Sequence, residues 1–373
     1  NKMKIYLCTT ATSKKYKSWS NIPYLLHKNF ESKGYKVKNL VLRELEPIKF
    51  LFNLPVRVLI KFFGLKTTYY YVRTPLHFFS TYICSQFIRL TSKDNDVMFV
   101  QGFSYPPHNT KNKMFIIGDW PSSYLFDNFL KRKPSKMEMK SVAREDLVIE
   151  SADAVVTLYP DVHKYMLNRY QNKNIYYFGN VVNVDAEVTI PLDILTIKKN
   201  SNNLLFIGKP FYLDGANELI SAVENLRARG YQLNVDIVGI ESNLISKKFD
   251  WLTIHGYLDK GRPSDKHKYY DLLKSAKLFI NSTPRWNAFQ ATLEAMYFYT
   301  PIVVRSNESL IQTFSKLEGF SYLVTGRNED LEKEIIKSLE YKEQYLEKCK
   351  NSHKAAEPYT WENFTQKLVG LFE

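Results

Sequence analysis

The sequence has few of the features that mark secreted or membrane-spanning proteins. It contains only three cysteines, Cys8, Cys84 and Cys349, with no CxxC pair, and we expect no secretory leader. This pattern argues against a disulfide framework and against a zinc site, and it is typical of a reducing compartment. The sequence also lacks any run of 18 apolar residues, so no membrane-spanning helix is expected.

Acidic residues are scarce at the start of the chain. Residues 1–118 hold 19 Lys and Arg but only five Asp and Glu, a balance of +14, which equals the net charge of the whole chain. A basic region of this size attracts an anionic partner such as lipid headgroups, nucleic acid or a phosphorylated substrate. The alternative is an alkaline surface that only keeps the protein soluble. Nucleic acid is the least favoured partner, because no recognition module is visible.

The 373 residues, of which 45% are hydrophobic, are enough for two domains with cores of their own. Short apolar runs predict strands in the first half at 4–8, 36–42, 97–101, 114–118, 154–158 and 174–179. Similar runs predict strands in the second half at 203–207, 233–238, 252–255, 277–281 and 301–304. Helical patterns separate most of these runs. Strands that alternate with helices predict parallel sheets covered on both faces.

We therefore expect an α/β protein of two doubly wound, Rossmann-like domains that face a cleft. In such sheets the ligand crevices lie at the carboxyl ends of the strands. The predicted domains are residues 1–182 and 203–355, and residues 356–373 are a final helix. Residues 183–202 are predicted to be the linker, because this stretch is polar and contains the run KKNSNN.

Two helical segments of the first half are apolar except for one polar stripe. The stripe residues stand four apart: Lys49, Asn53, Arg57 and Lys61, and then His77, Thr81, Ser85 and Arg89. Such a helix is either packed on most sides or lies in a membrane interface with its cations toward the headgroups. The alternative is an ordinary buried helix whose stripe meets water. Pro55 is expected to kink or break the first helix.

The second half contains several motifs of a known family. The most specific, LEAMYFYTPIVV at 293–304, resembles the L-E-A-M-A-x-G-x-P-V-V of family 4 retaining glycosyltransferases (glycosyl transferases group 1). IESADAVVTLYPDVHKYM resembles the segment that closes the first domain in that family, and YTWENFTQKLVGLF resembles its last helix. IIGDWPSSY is similar to a D-x-W-P turn of some members. The resemblance covers residues 150–373 well and the first half in outline, and it implies the GT-B fold with a last helix that crosses back to the first domain.

The resemblance also implies a site for a nucleotide diphosphate sugar in the second domain. Gly208 and Lys209 follow the strand LLFI, at a place where the family usually has an arginine for the diphosphate. Lysine serves there as a point charge without the bidentate fork of arginine. Arg285 leads into a helix that begins near Asn287 and is a second candidate for the phosphates. Cations and helix N-termini stabilise the negative charge that grows on such leaving groups.

Glu294 corresponds to the family's glutamate that accepts hydrogen bonds from the donor ribose, and a carboxylate near a helix N-terminus is favoured by the helix dipole. Two positions depart from the family pattern. The family's first glutamate, which holds the transferred sugar, is Trp286 here. Tryptophan can stack on a sugar or form the wall of a pocket. The family's second cation is Asp214, before Gly215. Each residue also has an alternative role without a ligand. Lys209 would then be a solvated loop lysine, Glu294 a glutamate at the start of a helix, and Trp286 a residue that packs in the core.

The mechanism that the resemblance implies is retaining transfer, in which a donor phosphate oxygen helps to deprotonate the acceptor hydroxyl. It requires no protein nucleophile, which fits a sequence without a paired-carboxylate signature. No catalytic residue is identified. Asp119, at the tip of a strand, is the candidate for contact with acceptor or donor sugar, and a turn-capping role is its alternative. No metal or other cofactor is expected.

The main prediction is a cytoplasmic, membrane-associated glycosyltransferase, hexosyl- or related, that assembles surface polysaccharide or glycoconjugate. Its predicted partners are a nucleotide sugar and a glycan or lipid-linked acceptor. It is also predicted to make peripheral contact with the inner face of an anionic membrane. The predicted contacts to membrane or acceptor are Lys49, Arg57, Lys61 and Arg89. The departures at Trp286 and Asp214 favour an alternative, a catalytically silent glycosyltransferase-like binding subunit. A sugar epimerase or phosphorylase on the same fold is a further alternative, disfavoured by the absence of a paired acid site.

Overall fold

A computed structural model describes most of the chain as two compact units. The described residues are 3–10, 22–42, 46–104, 111–185, 187–283, 289–324 and 328–372. Unit 1 consists of residues 1–179 and 364–373, and unit 2 consists of residues 180–363. The α/β class predicted from the sequence is confirmed, because each unit is built on one six-stranded parallel sheet.

The sheet of unit 1 has the strand order β2-β1-β3-β4-β5-β6, and all its pairings are parallel. Its strands are β1 Lys4–Thr9, β2 Lys36–Val41, β3 Val97–Gln101, β4 Lys113–Gly118, β5 Ala154–Thr157 and β6 Ile175–Tyr177. Every residue of β3 and β5 is buried, as expected for strands covered on both faces. The order changes direction between β1 and β3, which is a switch point of the flavodoxin type.

Seven α-helices lie wholly or partly in unit 1 among the described residues. They are α1 Ile22–Ser32, α2 Glu46–Phe63, α3 Pro75–Thr91, α4 Ser122–Tyr124 (which continues into a π-helical segment Leu125–Leu130), α5 Lys136–Ser151, α6 Pro160–Arg169 and α14 Trp361–Val369. The final helix starts in unit 2, and its residues from Phe364 onward belong to unit 1. There Phe372 contacts Phe30 and Phe115 with ring centroids 6.2 and 5.2 Å apart.

The helices α2 and α3 have their polar side toward the rest of unit 1. Asn53 is the buried residue of α2, and its Oδ1 accepts a hydrogen bond from the Tyr71 N–H at 2.9 Å. In α3 the buried residues include His77, Thr81 and Ser85. The hydroxyls of Thr81 and Ser85 donate to carbonyls of their own helix, so their burial leaves no hydroxyl proton unpaired.

The apolar side chains of these two helices are exposed to solvent. In α2 they are Ile48, Phe50, Leu51, Phe52, Leu54, Val58, Leu59, Phe62 and Phe63. In α3 they are Leu76, Phe79, Tyr82, Ile83, Phe87 and Leu90. We call this the apolar face of unit 1. The alternative of buried helices whose stripe meets water is therefore wrong, because the stripe residues Asn53, His77, Thr81 and Ser85 lie inside and the apolar residues lie outside.

The cations of the stripes lie at the edges of this apolar face. Arg57, Lys61 and Arg89 are exposed, and Lys49 is partly exposed with its ammonium 3.7 Å from the Glu46 carboxylate. The expected break at Pro55 is absent, since α2 continues through it. The described residues contain no helix that is long and apolar enough to cross a bilayer.

A buried ion pair anchors the link between α2 and α3 to the rest of unit 1. Glu138, in the first turn of α5, is fully buried and accepts two hydrogen bonds of 2.9 Å from the Arg132 guanidinium. It also accepts from the N–H of Thr68, in the link, at 2.6 Å. Burial alone would raise the pKa of Glu138, but these hydrogen bonds hold it well below its usual value. The position of the apolar face is therefore fixed by α5.

The sheet of unit 2 has the order β12-β11-β10-β7-β8-β9, again with parallel pairings only. Its strands are β7 Asn203–Ile207, β8 Asn234–Val238, β9 Leu252–Gly256, β10 Leu278–Asn281, β11 Ile302–Arg305 and β12 Ser321–Val324. This is the classical doubly wound order, and it reverses between β7 and β10. The strand β12 was not predicted from the sequence.

Seven α-helices lie wholly in unit 2 among its described residues. They are α7 Ile194–Asn200, α8 Leu213–Ala228, α9 Pro263–Ser275, α10 Phe289–Tyr297, α11 Glu308–Thr313, α12 Asn328–Glu340 and α13 Lys342–Ala356. The stretch 183–202, predicted as a linker, is part of unit 2 and contains α7. Its polar composition suggested a linker, whereas one of its lysines has a structural role.

Lys198 is that residue. Its side chain is completely buried, and its ammonium donates to the carbonyls of Leu273 and Ala276 at 2.7 and 2.8 Å. A third hydrogen bond reaches the Thr300 hydroxyl at 2.7 Å. Burial lowers the pKa of Lys198 to about 7. Three bonds satisfy all three ammonium donors, so the lysine joins α7, the end of α9 and the approach to β11.

The helix α10 ends in a backbone conformation that side chains rarely adopt. Tyr299 has φ of +58° and occupies the position of the glycine in the family motif L-E-A-M-A-x-G-x-P-V-V. Its ring is stacked on that of His353, with centroids 4.2 Å apart. The left-handed conformation costs a non-glycine residue about 1–2 kcal/mol, and the stacking offsets part of this cost.

We predict that Lys198→Met lowers the free energy of unfolding by about 1–3 kcal/mol, because it leaves buried carbonyls without their donor. Urea unfolding followed by circular dichroism measures the change. Lys199→Met is the matched control, because its side chain is exposed on the same helix. Equal stability of Lys198→Met and the control would show that the desolvation of the ammonium cancels its hydrogen bonds.

Candidate functional site

The switch point of unit 2 brings together the carboxyl ends of β7 and β10, where doubly wound sheets bind their ligands. Gly208 directly follows β7, and its N–H donates to the Val238 carbonyl at 3.0 Å. Gly239, after β8, has φ of +92°, and a Cβ there would stand 2.3 Å from the Gly208 carbonyl oxygen. Glycine is thus required where these loops touch, and this contact fixes the backbone that leads into Lys209.

The predicted diphosphate residue Lys209 lies in an exposed position at this edge. It precedes a short 3₁₀ turn, Pro210–Tyr212, that leads directly into α8. Asp214, at the position of the family's second cation, is exposed in the first turn of α8. A carboxylate there suits the helix dipole but adds negative charge near the proposed phosphates.

Two buried side chains at the end of β10 have polar atoms without a partner among the described residues. They are Asn281, through Nδ2, and Thr283, through Oγ1. Both pack against the start of α8, since a Cβ at Gly215 would lie 2.2 Å from the Thr283 oxygen and 3.0 Å from the Asn281 Oδ1. More than nine in ten buried polar groups in proteins are paired. This spot is therefore suited to a polar ligand, which would satisfy both groups.

Arg305, the last residue of β11, is a cation at this edge that the sequence analysis missed. Its Nη2 lies 3.2 Å from Oε1 of Glu218, and its Nε donates to the Ser282 carbonyl. The Ser282 hydroxyl also donates to Glu218. An arginine directly after the apolar run IVV was the available signal. Its charge is largely used by Glu218, so it orients the end of β10 more than it offers charge to a ligand.

Glu294 is almost fully buried, with 2% of its surface exposed, in the second turn of α10. Its Oε1 accepts a hydrogen bond from the Lys260 ammonium at 2.9 Å, and its Oε2 accepts from the Tyr269 hydroxyl. Burial, and then the charge of Glu294, raise the pKa of Tyr269 well above its usual value. The Lys260 ammonium also lies 4.2 Å from the Tyr269 ring centroid. The three residues form a compact charged cluster beside the switch point.

This cluster gives Glu294 two partners that were not predicted from the sequence. Lys260 lies in the loop between β9 and α9, and the sequence analysis did not identify it. Each carboxylate oxygen has two lone pairs, so each can accept one further hydrogen bond beside its present one. The role of Glu294 toward a ribose stays a prediction, and the structure adds that Lys260 and Tyr269 hold its carboxylate in place.

The remaining predicted residues are placed differently. Arg285, Trp286 and Asn287 lie outside the described residues. Asp119 directly follows β4 in unit 1, and its backbone carbonyl accepts a hydrogen bond from the Thr157 hydroxyl at 2.9 Å. Among the described residues there is no group of three or more His, Cys, Asp or Glu side chains that could hold a metal ion.

Comparison with known proteins gives matches to solved structures only. No family model matches the chain, and no curated protein matches its sequence. The sucrose-phosphate synthase of Thermosynechococcus elongatus matches with a TM-score of 0.64 and 14% identity over 100% of this chain and 98% of that one. The catalytic domain of starch synthase IV from Arabidopsis thaliana, bound to ADP and acarbose, matches with a TM-score of 0.64 and 10% identity over 100% and 99%.

TarM of S. aureus matches with a TM-score of 0.57 and 17% identity over 79% of this chain. The matched part spans 58% of the length of TarM. At these identities the likeness shows the fold. The neighbours have the GT-B fold, and the predicted GT-B architecture with two Rossmann-like domains is thereby confirmed.

We predict that Lys260→Met lowers the free energy of unfolding by about 3–5 kcal/mol, because it leaves the buried Glu294 carboxylate without its counter-charge. The double variant Lys260→Met, Glu294→Gln removes both charges and is expected to recover most of this loss. Thermal and urea unfolding of the two single variants and the double variant measure the coupling. Additive losses would contradict a direct interaction of the two groups.

Proposed function

We propose that the protein is a glycosyltransferase that moves a sugar, with retention, from a nucleotide diphosphate sugar to a glycan or lipid-linked acceptor. The observation that supports this most directly is the polar spot at the switch point of unit 2. There Asn281 Nδ2 and Thr283 Oγ1, which have no hydrogen-bond partner among the described residues, adjoin the start of α8, beside the exposed Lys209. A starch synthase with the same fold was crystallised with ADP, and a nucleoside diphosphate is the ligand class proposed for this chain.

In this proposal the diphosphate lies between Lys209, the first turn of α8 and the end of β10. The ammonium of Lys209 and the N-terminal end of α8 stabilise the charge that grows on the phosphates as the sugar leaves. Asn281 and Thr283 donate further hydrogen bonds. Arg285, in the segment 284–288, is proposed to add the second cation that Asp214 does not provide.

Glu294 is proposed to accept hydrogen bonds from the ribose hydroxyls, with Lys260 and Tyr269 as the residues that orient it. Trp286 is proposed to line the sugar pocket in place of the family's first glutamate, and with Asn287 to contact the donor. Because tryptophan offers an apolar face and one N–H, it favours a sugar with an apolar face or with fewer hydroxyls.

The proposed reaction uses no protein nucleophile and no metal. A phosphate oxygen of the donor helps to deprotonate the acceptor hydroxyl on the face where the leaving group departs, as the resemblance to family 4 enzymes implies. The transferred sugar is proposed to be a hexose or a related sugar. The product is proposed to be part of a surface polysaccharide or glycoconjugate. Asp119 remains a proposed contact to acceptor or donor sugar.

We predict that UDP or ADP raises the melting temperature of the protein and that Lys209→Ala weakens this binding by about 1–2 kcal/mol, the scale of a charge-assisted hydrogen bond. Calorimetric titration measures the affinity. Lys354→Ala is the control, because Lys354 is exposed on α13, away from the strand ends. Unchanged affinity in Lys209→Ala would rule out Lys209 as a phosphate ligand, and failure of every nucleotide to bind would rule out the donor site.

Hydrolysis of the bound nucleotide sugar separates the enzyme from a silent binding subunit. An enzyme releases free nucleotide and sugar slowly even without its acceptor, whereas a binding subunit gives the thermal shift without turnover. The departures at Trp286 and Asp214 keep the silent subunit as the second candidate.

Unit 1 is proposed to rest on the anionic inner surface of a membrane. The exposed apolar face of α2 and α3 is large for a protein that stays in water, and exposed apolar patches mark interaction sites. Residues 47–93 contain seven Lys and Arg and no Asp or Glu. A second copy of the same face would bring these cations against one another, so an anionic lipid surface complements the face better than a homodimer does.

We predict that the full chain sediments with vesicles of anionic lipid and that Arg57→Glu with Lys61→Glu lowers its affinity at least about 30-fold, since each cation near such a surface contributes about 1 kcal/mol. Leu51→Gln with Phe62→Gln is expected to weaken binding at every salt concentration, whereas the charge effect fades as salt increases. Equal sedimentation with neutral and anionic vesicles would contradict the charge contribution. A concentration-dependent dimer that the apolar variants abolish would favour a second copy instead.

A further inference from the structure

Unit 1 contains a cavity that the proposed donor site does not use. It has a volume of about 90 Å³ and lies between α3, α5 and the carboxyl ends of β3 and β4. Its polar lining includes Arg73, His77, Ser104, Ser122, Arg144 and Glu145. Since about 10–15 Å³ is enough for one water molecule, the cavity has room for a group of the size of a phosphate.

Two arginines of the lining are held in place by side-chain hydrogen bonds that, among the described residues, use one N–H donor of each. Arg144 donates through Nη2 to the Arg73 carbonyl at 2.5 Å, and Arg73 donates through Nη1 to the Ser122 hydroxyl at 2.6 Å. Their guanidinium carbons lie 5.7 and 6.0 Å from the ring centroids of Phe78 and Phe126. A guanidinium has five N–H donors, and these hydrogen bonds use one on each.

The charge of the lining suits an anion. Glu145 is the carboxylate among the described lining residues, and it accepts a hydrogen bond from the Ser122 N–H at 3.0 Å. Burial raises the pKa of Glu145, and the charge of Arg73 opposes this shift. Two permanent cations thus face one carboxylate. Arginine pairs bind phosphate in a bidentate manner.

The lining of the cavity includes an exposed residue in the link between α2 and α3. Val72 lines the cavity and is itself 41% exposed. The lining residue His77 is flanked on α3 by Leu76, which is 48% exposed, and the next exposed side chain is Phe79. A ligand with an anionic group in the cavity would therefore have an apolar surface next to it, in the same unit.

We propose that this cavity binds the phosphate group of a lipid-linked acceptor, with Arg73 and Arg144 as its ligands, while the lipid chain lies along the apolar face. This inference rests on the proposed function and names its acceptor class, an amphiphile whose phosphate stands between the lipid chain and the hydroxyl that receives the sugar. The cavity lies at the strand ends of unit 1, the edge at which doubly wound sheets bind ligands.

The test uses the full chain and three soluble probes: dihexanoyl phosphatidate, inorganic phosphate and octyl glucoside. Calorimetric titration below the micelle concentration is expected to show that phosphatidate binds at least tenfold more tightly than either other probe. Arg144→Gln is expected to weaken phosphatidate binding at least tenfold, and Arg144→Lys less. Lys140→Gln is the matched control, because it removes an exposed cation one turn earlier on the same helix.

The outcomes separate this inference from the proposed function. Phosphate that binds as tightly as phosphatidate would show a simple anion site, and octyl glucoside that binds as tightly would show an apolar site; either result overturns the acceptor class. An Arg144→Gln chain that keeps its melting temperature and its phosphatidate affinity also overturns it. If Arg144→Gln unfolds, Arg73→Lys is titrated in its place. Binding of UDP or ADP is measured on the same variants, is expected to be unchanged, and reports on the donor site alone.

Discussion

The parallel direction of every strand is the constraint from which the rest of this molecule follows. When all strands of a sheet run the same way, the loops that leave their carboxyl ends meet at one edge, and the chain returns along a crossover that is usually a helix. In unit 2 this geometry collects Gly208, Lys209, Asn281 and Thr283, which are far apart in sequence. In unit 1 the same geometry forms the walls of the arginine-lined cavity. Both candidate sites are thus consequences of topology before any particular side chain contributes.

Much of the framework was predictable, because buried parallel strands are short continuous apolar runs and helices end at recognisable signals. Eleven of the twelve strands were predicted close to their observed bounds. The stretch around Lys198 was misread, because a polar sequence indicates solvent unless one knows that carbonyls from distant elements surround the ammonium. The strand β12, with the sequence SYLV, was missed.

A residue of the candidate site could be predicted only where its type and its position at a strand end were enough to suggest its role. Lys209 could be found in this way. The partners of Glu294 could not, because Lys260 lies 34 positions earlier in a loop, and no local pattern links the two. Their pairing depends on how the fold places the loop between β9 and α9 beside α10. Arg305 was missed for the same reason, because its charge is paired with that of Glu218, which lies on α8. Electrostatic complementarity between distant elements is a property of the folded chain, and a linear pattern carries little of it.

The reversed orientation of α2 and α3 has a consequence for how this chain can change over evolutionary time. In an ordinary surface helix the apolar residues are constrained by close packing, and the polar ones vary freely. Here Asn53, Thr81 and Ser85 fit between packed elements, so replacing them alters volume and hydrogen bonding inside unit 1. The exposed Phe, Leu and Ile residues lie at the surface, where Phe52 has a ring contact with Tyr69 and Phe87 lies under the Lys38 ammonium. They can exchange with one another as long as the face stays apolar, so tolerance in these two helices follows hydrophobicity rather than shape.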